Sequence, residues 1–259
     1  VLAIVAGSPK CGTSWFRAIA ARHPKRAAGV AHKKEPYFFT SSYANGLKWY
    51  LSLVPGDRPG WFAIDASPGY LYQPRVAIPR IKESFPDTTI VLLLREPVSR
   101  AFSHWRFHRK PQRRLPLTTA SFAGYAGADL KRIETEGIPS GIEHDCAKMG
   151  CSKQGAHIVA IGAYVGFVRP WLDAFGDRIF VYFFEDLVRD PKRTMGHFFK
   201  HLGLSPKVQD AWLQTKKFRS SFQAERCVEM DERLQEFYRP HNRKLAKILG
   251  RELPKAWQY

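Results

Sequence analysis

The first fourteen residues constrain this chain more than any other stretch. Val1 to Ala6 run apolar and β-branched, the composition of a parallel strand buried on both faces. Gly7-Ser8-Pro9-Lys10-Cys11-Gly12-Thr13-Ser14 follows and leads into the pattern Trp15, Phe16, Ile19, Ala20, which predicts a helix over 13–22. A glycine-bearing turn between strand and helix aims successive backbone N–H groups and a helix N-terminus at one spot, which makes an anion site. In the nucleotide-triphosphate loop G-x-x-x-x-G-K-[ST] the lysine follows the second glycine and the hydroxyl serves Mg²⁺. Here Gly12 is followed by Thr13, and Lys10 stands inside the loop. Such a loop suits a phosphate but lacks the arrangement for a triphosphate and its metal.

Strand and helix patterns alternate beyond it. Helices are expected at 41–53, with Leu47, Tyr50, Leu51 and Val54 on one face, and at 75–84, 97–109 and 158–175. Asp190-Pro191 opens another, ending near Leu202-Gly203. Strands are expected at 62–65, 89–94 and 178–184. Residues 111–155 are rich in Gly, Pro and charge, and read as an acceptor-side loop or insertion with one helix near 119–135. The pattern predicts an α/β fold: a P-loop-like single domain over 1–259, with a central parallel sheet flanked by helices and ligands at the strands' C-terminal ends. Gly7, Asp65 and Arg95 all stand at such ends. Ser103 lies eight residues past Arg95, so both can reach one phosphate.

Lys10-x-Gly12-Thr13 after a strand resembles the 5′-phosphosulfate loop of sulfotransferases that use phosphoadenosine phosphosulfate (PAPS). Residues 89–105 resemble that family's 3′-phosphate segment. Lys34-Glu35-Pro36-Tyr37-Phe38-Phe39 is similar to the Lys-Glu-x-His-Phe-Phe stretch of Golgi carbohydrate sulfotransferases, the heparan sulfate glucosaminyl group in particular. Asp65-Ala66-Ser67-Pro68-Gly69-Tyr70 is similar to their Glu-Lys-[Ser/Thr]-Pro-x-Tyr. Phe237 to Leu245, with Leu249, Gly250 and Trp257, resembles their C-terminal helix.

The resemblance implies an enzyme that transfers the sulfuryl group of PAPS to a hydroxyl or amino group and releases PAP without needing a metal. It implies Glu35 as base and Lys10 as donor to the leaving phosphate. Lys10, Cys11, Gly12, Thr13, Ser14, Arg95, Ser103 and Arg226 are the expected cofactor contacts; Lys34, Tyr37, Ser67, His104, Arg109 and Arg113 are the expected acceptor contacts. Tyr37 replaces the family's histidine and Ala66 its lysine. Lys33 or His104 could supply the missing cation, and His32 and His104 remain candidates for the base. The family's late disulfide hairpin with Lys-Gly-Arg is not recognisable: either the loop 218–230, with Arg219, Ser220, Ser221 and Arg226, does its work, or the cofactor is less covered.

The formal charge of +18 predicts attraction to polyanions. Much of it lies at Arg106 to Arg114, Lys216 to Arg219 and Arg239 to Arg251. An anionic or hydroxyl-rich glycan would explain these clusters; nucleic acid would too, although no specific nucleic acid is expected. A small-molecule or protein tyrosine acceptor, a P-loop nucleotide kinase using Asp65 for Mg²⁺, and a polyanion-binding module without chemistry are the alternatives. Cys146 and Cys151 are spaced for a small disulfide loop in an oxidising lumen more than for a zinc site, because Cys11 and Cys227 make no second matching pair. No apolar run is long enough for a membrane span, and Val1 opening into a strand leaves no signal peptide in view. The Golgi lumen is expected if the family's anchor has been removed, with the cytoplasm as alternative. Oligomeric state is not legible.

Overall fold

The computed structural model describes residues 1–26, 35–54, 60–108, 121–142, 157–214 and 225–259. Among these, β1 (Leu2–Gly7), β2 (Ala63–Asp65), β3 (Thr89–Leu94) and β4 (Ile179–Phe183) form one parallel sheet in the order β2-β1-β3-β4. The described helices are α1 (Thr13–Ala20), α2 (Gly46–Leu53), α3 (Pro74–Ser84), α4 (Pro97–His108), α5 (Phe122–Glu136), α6 (Val165–Phe175), α7 (Phe184–Arg189), α8 (Pro191–His201), α9 (Asp210–Leu213) and α10 (Val228–Leu249). The expected central parallel sheet flanked by helices is what the chain forms.

Every residue of β1 and β3 is buried, which is why both read as unbroken apolar runs. Ala3, Val5, Val91 and Leu93 pack with Trp15, Phe16 and Ile19 of α1 and with Met195, Phe198 and Phe199 of α8. The strand order reverses between β1 and β3, and ligands lie beyond the strand ends at such a switch point. At the end of β1 the backbone comes so close to Leu71 that a Cβ on Gly7 would stand 2.5 Å from the Leu71 Cβ. Only glycine lets the loop begin there.

The chain divides into two compact units, Val1–Leu94 with Pro170–Phe218 and Arg95–Arg169 with Arg219–Tyr259. The first holds the sheet. The second, helical in its described residues, is built around Arg100, which is fully buried and donates to the Ile158 carbonyl. Asp129 accepts from the Val159 N–H at 2.6 Å, and the Tyr238 hydroxyl donates to the Val159 carbonyl at 2.8 Å.

Three expectations need correction. The helix expected at 158–175 is a 3₁₀ turn at Ala160–Gly162 followed by α6: the Val159 carbonyl accepts from the Gly162 N–H and the Tyr238 hydroxyl, while the Ala163 N–H bonds Ala160 instead. On α2, Tyr50 and Val54 are buried but Leu47 and Leu51 are exposed. The Tyr50 ring stacks on Phe38 and its hydroxyl donates to Asp65, which turns that edge of the helix inward and the leucine edge out. The expected loop 218–230 gives way to α10 at Val228. Cys146 and Cys151 lie outside the described residues; among the described residues Cys11 and Cys227 form no disulfide.

Candidate active site

The loop expected to hold a phosphate takes its shape from the chain's own backbone. Gly12 sits at φ +84° as the residue before α1, and the first helical bond runs from the Phe16 N–H to the Gly12 carbonyl at 2.9 Å. A Cβ there would lie 2.9 Å from the Phe184 ring, so both conformation and space call for glycine. Among the described residues no side chain caps α1, and no acidic residue lies in its first turn, so the N–H groups at its start keep their affinity for an anion. Lys10 is half-buried at φ +70°. Cys11, an expected cofactor contact, is instead committed to the fold. Its side chain joins the core, and its N–H donates to the Ser8 carbonyl at 3.3 Å. Ser8 donates its own N–H to Leu93 at 2.7 Å, fixing the loop to β3.

Glu35 is half-buried at the head of a buried segment, and its Oε2 accepts from the Tyr37 hydroxyl at 3.3 Å. Beneath that segment lies Asp65, at the C-terminal end of β2. Its Oδ1 accepts from the Ser67 hydroxyl at 2.6 Å, and its Oδ2 accepts from Tyr70 at 3.0 Å and Tyr50 at 3.1 Å. Burial pushes the Asp65 pKa up to about 6, against the pull of those three hydroxyls, and the nearby Glu35 charge adds to the rise. A carboxylate so enclosed does not suit the Mg²⁺ role that a kinase would ask of it. Burial also raises the Tyr50 and Tyr70 hydroxyls well above the usual phenol range.

The raised Asp65 pKa has a measurable consequence. From 3.8 up to about 6 the folded chain holds a proton that the unfolded chain has lost, so stability falls as pH rises through that window. Relative to Asp65→Asn, the wild type should lose on the order of 2 kcal/mol between about pH 4 and about pH 6.5, measured by paired urea titrations. A difference independent of pH would mean that the folded Asp65 titrates like an exposed carboxylate.

The second unit carries the segment expected to meet the other phosphate. Arg95 directly follows β3, and its backbone is held by the Tyr164 hydroxyl, which donates to the Arg95 carbonyl at 2.9 Å. The next residue, Glu96, caps α4 by accepting from the N–H groups of Val98 and Ser99, both at 2.7 Å. Tyr259 donates to the same carboxylate at 3.1 Å. Ser99 and Ser103, one turn apart, share a face of α4 and are half-buried. Arg226 reaches that face: its Nη1 donates to the Ser99 hydroxyl at 3.3 Å, its Nε pairs with Asp231 at 2.6 Å, and its guanidinium lies 5.7 Å from the Phe102 ring centroid.

Other expected site residues fall elsewhere. His104 is 1% exposed, with its Nδ1 3.4 Å from Arg100 and its ring against His108. That makes it a core histidine of α4, not an acceptor contact, base or replacement cation. Ser67 is fully buried between Asp65 and the Tyr37 N–H, and Tyr37 is buried too, so neither offers the acceptor an open side chain. Lys34, Arg109 and Arg113 lie outside the described residues, as do His32, Lys33, Arg219, Ser220 and Ser221.

Sequence reasoning passed over Arg17, the three hydroxyls on Asp65, and the tyrosines that hold Arg95 and Glu96. Arg17 is half-buried on α1, where burial and Arg26 lower its pKa while Asp65 and Glu35 oppose them. A lone arginine among Trp15, Phe16, Ile19 and Ala20 was the visible signal for it. The tyrosines had none, because their partners are distant in the chain.

A family model described as "Sulfotransferase domain" matches residues 3–249. Human heparan sulfate glucosamine 3-O-sulfotransferase 6 is 30% identical over 277 residues, covering 96% of this chain and 72% of that protein. Mouse heparan sulfate glucosamine 3-O-sulfotransferase 3B1 is 28% identical over 274 residues; the match takes in 96% of this chain but spans 63% of the relative's length. Among solved structures, a sulfotransferase from Alicyclobacillus acidocaldarius superposes with a TM-score of 0.74 at 25% identity, covering 99% of this chain and 98% of the other. The sulfotransferase domain from the curacin biosynthetic pathway shares the fold, with a TM-score of 0.53 at 14% identity over 98% of each chain. With 3–249 matched end to end across both units, this chain belongs to the sulfotransferase domain family.

Proposed function

We propose that residues 1–259 act as one PAPS-dependent sulfotransferase domain whose acceptor is a glycosaminoglycan-like carbohydrate, with the Golgi lumen as its compartment. The family match over 3–249 carries this reading, and the relatives named as heparan sulfate glucosamine 3-O-sulfotransferases support the acceptor class. The residues present fit the donor. An uncapped helix N-terminus behind Lys10, with a left-handed Gly12 that keeps side-chain bulk out, is suited to a 5′-phosphate. Arg95, Ser103 and Arg226 are suited to a 3′-phosphate.

When bound, PAPS supplies a sulfuryl group on its 5′-phosphate. Glu35 takes the proton of the acceptor hydroxyl or amine as the acceptor atom bonds to sulfur and the bridging S–O bond breaks. The electron pair of that bond leaves with the phosphate of PAP, where Lys10 and the N–H groups of Thr13 and Ser14 meet the growing charge. Like phosphoryl transfer, the step rests on positioning and electrostatics, and this reading assigns no part to a metal. No helix among the described residues is long and apolar enough to cross a membrane.

Two measurements test the reading. PAP should raise the melting temperature at concentrations where ATP with Mg²⁺ does nothing. With labelled PAPS and heparan-type oligosaccharides, the acceptor KM should climb steeply with salt while the PAPS KM moves little, since exposed charge is screened beyond about 8 Å at physiological ionic strength. Neutralising Arg109, Arg113 and Arg114 together should raise the acceptor KM and spare that of PAPS. Preference for an uncharged phenol would remove the glycan while leaving the sulfotransferase.

A further inference from the structure

We infer that Asp65 and Ser67 are positioning residues for Glu35: the carboxylate at the end of β2 grips, through hydroxyl relays, the backbone segment from which Glu35 projects. This rests on the reading of Glu35 as the base. The hydrogen bonds leave little choice of direction. A backbone N–H can only donate and an ionised carboxylate can only accept, so a hydroxyl between them must do both. Ser67 accepts from the Tyr37 N–H at 3.1 Å and donates to Asp65 Oδ1 at 2.6 Å. Tyr70 accepts from the Phe39 N–H at 3.3 Å and donates to Oδ2 at 3.0 Å. One buried carboxylate thus holds two alternate amides of the same short segment.

Tyr37 is the pivot. Its φ of +50° lies in the left-handed region, which a residue with a bulky side chain adopts only where its surroundings enforce it. Here the Ser67 relay holds its N–H, while its carbonyl accepts from the N–H groups of Thr40 at 3.2 Å and Ser42 at 3.0 Å. The Tyr37 hydroxyl then donates to Glu35 Oε2 at 3.3 Å. From the far side of the segment, Arg80 of α3 donates to the carbonyls of Phe39 at 3.2 Å and Thr40 at 3.0 Å. The segment is held by its N–H groups from β2 and by its carbonyls from α3, and Glu35 inherits that placement. A buried carboxylate with a raised pKa is an unfavourable thing to keep for packing alone, and an apolar residue would fill the volume. Two N–H groups needing one shared acceptor account for it.

The test is a double-mutant cycle read with ligand binding. Ser67→Ala should lower kcat by roughly tenfold, since small displacements of a catalytic group are costly to rate. Its PAP affinity by calorimetry should stay within about twofold of wild type, and Ser67→Thr, which keeps the hydroxyl, should recover most of the turnover. In a Glu35→Gln background Ser67→Ala should change kcat by no more than about twofold, because the effect acts through the lost base. Asp65→Asn should behave as Ser67→Ala does and carries the comparison if that variant folds poorly. Hydrogen exchange at Tyr37 should quicken in both, and at Phe39 in Asp65→Asn, because the Phe39 N–H is held through Tyr70. Equal losses of kcat with and without Glu35, a matching loss of PAP affinity, or unchanged exchange at those amides would overturn the inference while leaving an active sulfotransferase. A wild-type chain with no PAPS-dependent transfer would overturn the functional reading, and this inference with it.

Discussion

Glu35→Gln should lower sulfuryl transfer by roughly 10²-fold or more, the usual size of a general-base contribution, while PAP binds as tightly as to wild type. Glutamine keeps the shape and can still accept from Tyr37 at the 3.3 Å seen for the carboxylate, so the segment should stay folded and only the proton acceptor is lost. Paired kcat and PAP calorimetry would separate this from a folding defect. Near-normal turnover would remove Glu35 from the role. It would not pass to His104, whose burial in α4 keeps it from any acceptor; His32 would be next to test.

Lys10→Ala and Arg95→Ala should fail in opposite ways. On the proposed reading Lys10, just before α1, would meet charge that gathers on the leaving phosphate only as the S–O bond breaks, so its removal should depress kcat by roughly 10²- to 10³-fold. Arg95 would meet a phosphate whose charge does not change during the reaction. Its loss should weaken PAP and PAPS alike by on the order of 2 kcal/mol, roughly thirtyfold, with kcat at saturation nearly intact. Ser103→Ala should weaken binding by about 1 kcal/mol. Unchanged PAP affinity in Arg95→Ala would end its assignment. Because Tyr164 holds Arg95 through its backbone, truncating the side chain leaves that tether in place.

The elements that set the fold were legible because their causes are local. β1 and β3 announce themselves as apolar runs ended by Gly7 and Arg95, and Pro97 and Pro191 mark helix starts that the structure reproduces. The same locality explains the misreadings. The periodicity of α2 named Leu47, Tyr50, Leu51 and Val54 as one face, but periodicity does not say which edge meets a partner, and the Asp65 carboxylate chose the tyrosine edge. Ser67 and His104 looked like acceptor groups because polar residues near motifs usually face a ligand. The first is a buried relay and the second a buried partner of Arg100.

By itself the sequence determined a strand-loop-helix with its lysine inside the loop, a second strand ending on an arginine, and a glutamate before paired phenylalanines. Each is a feature of neighbouring residues, whose chemistry is set by spacing along the chain. Tertiary structure decided how those groups are held. Asp65 collects hydroxyls from Tyr50, Ser67 and Tyr70, and Glu96 is joined by Tyr259 from 163 residues away. Such pairings form because a buried carboxylate must find donors wherever packing brings them, and no local pattern records which distant hydroxyl that will be.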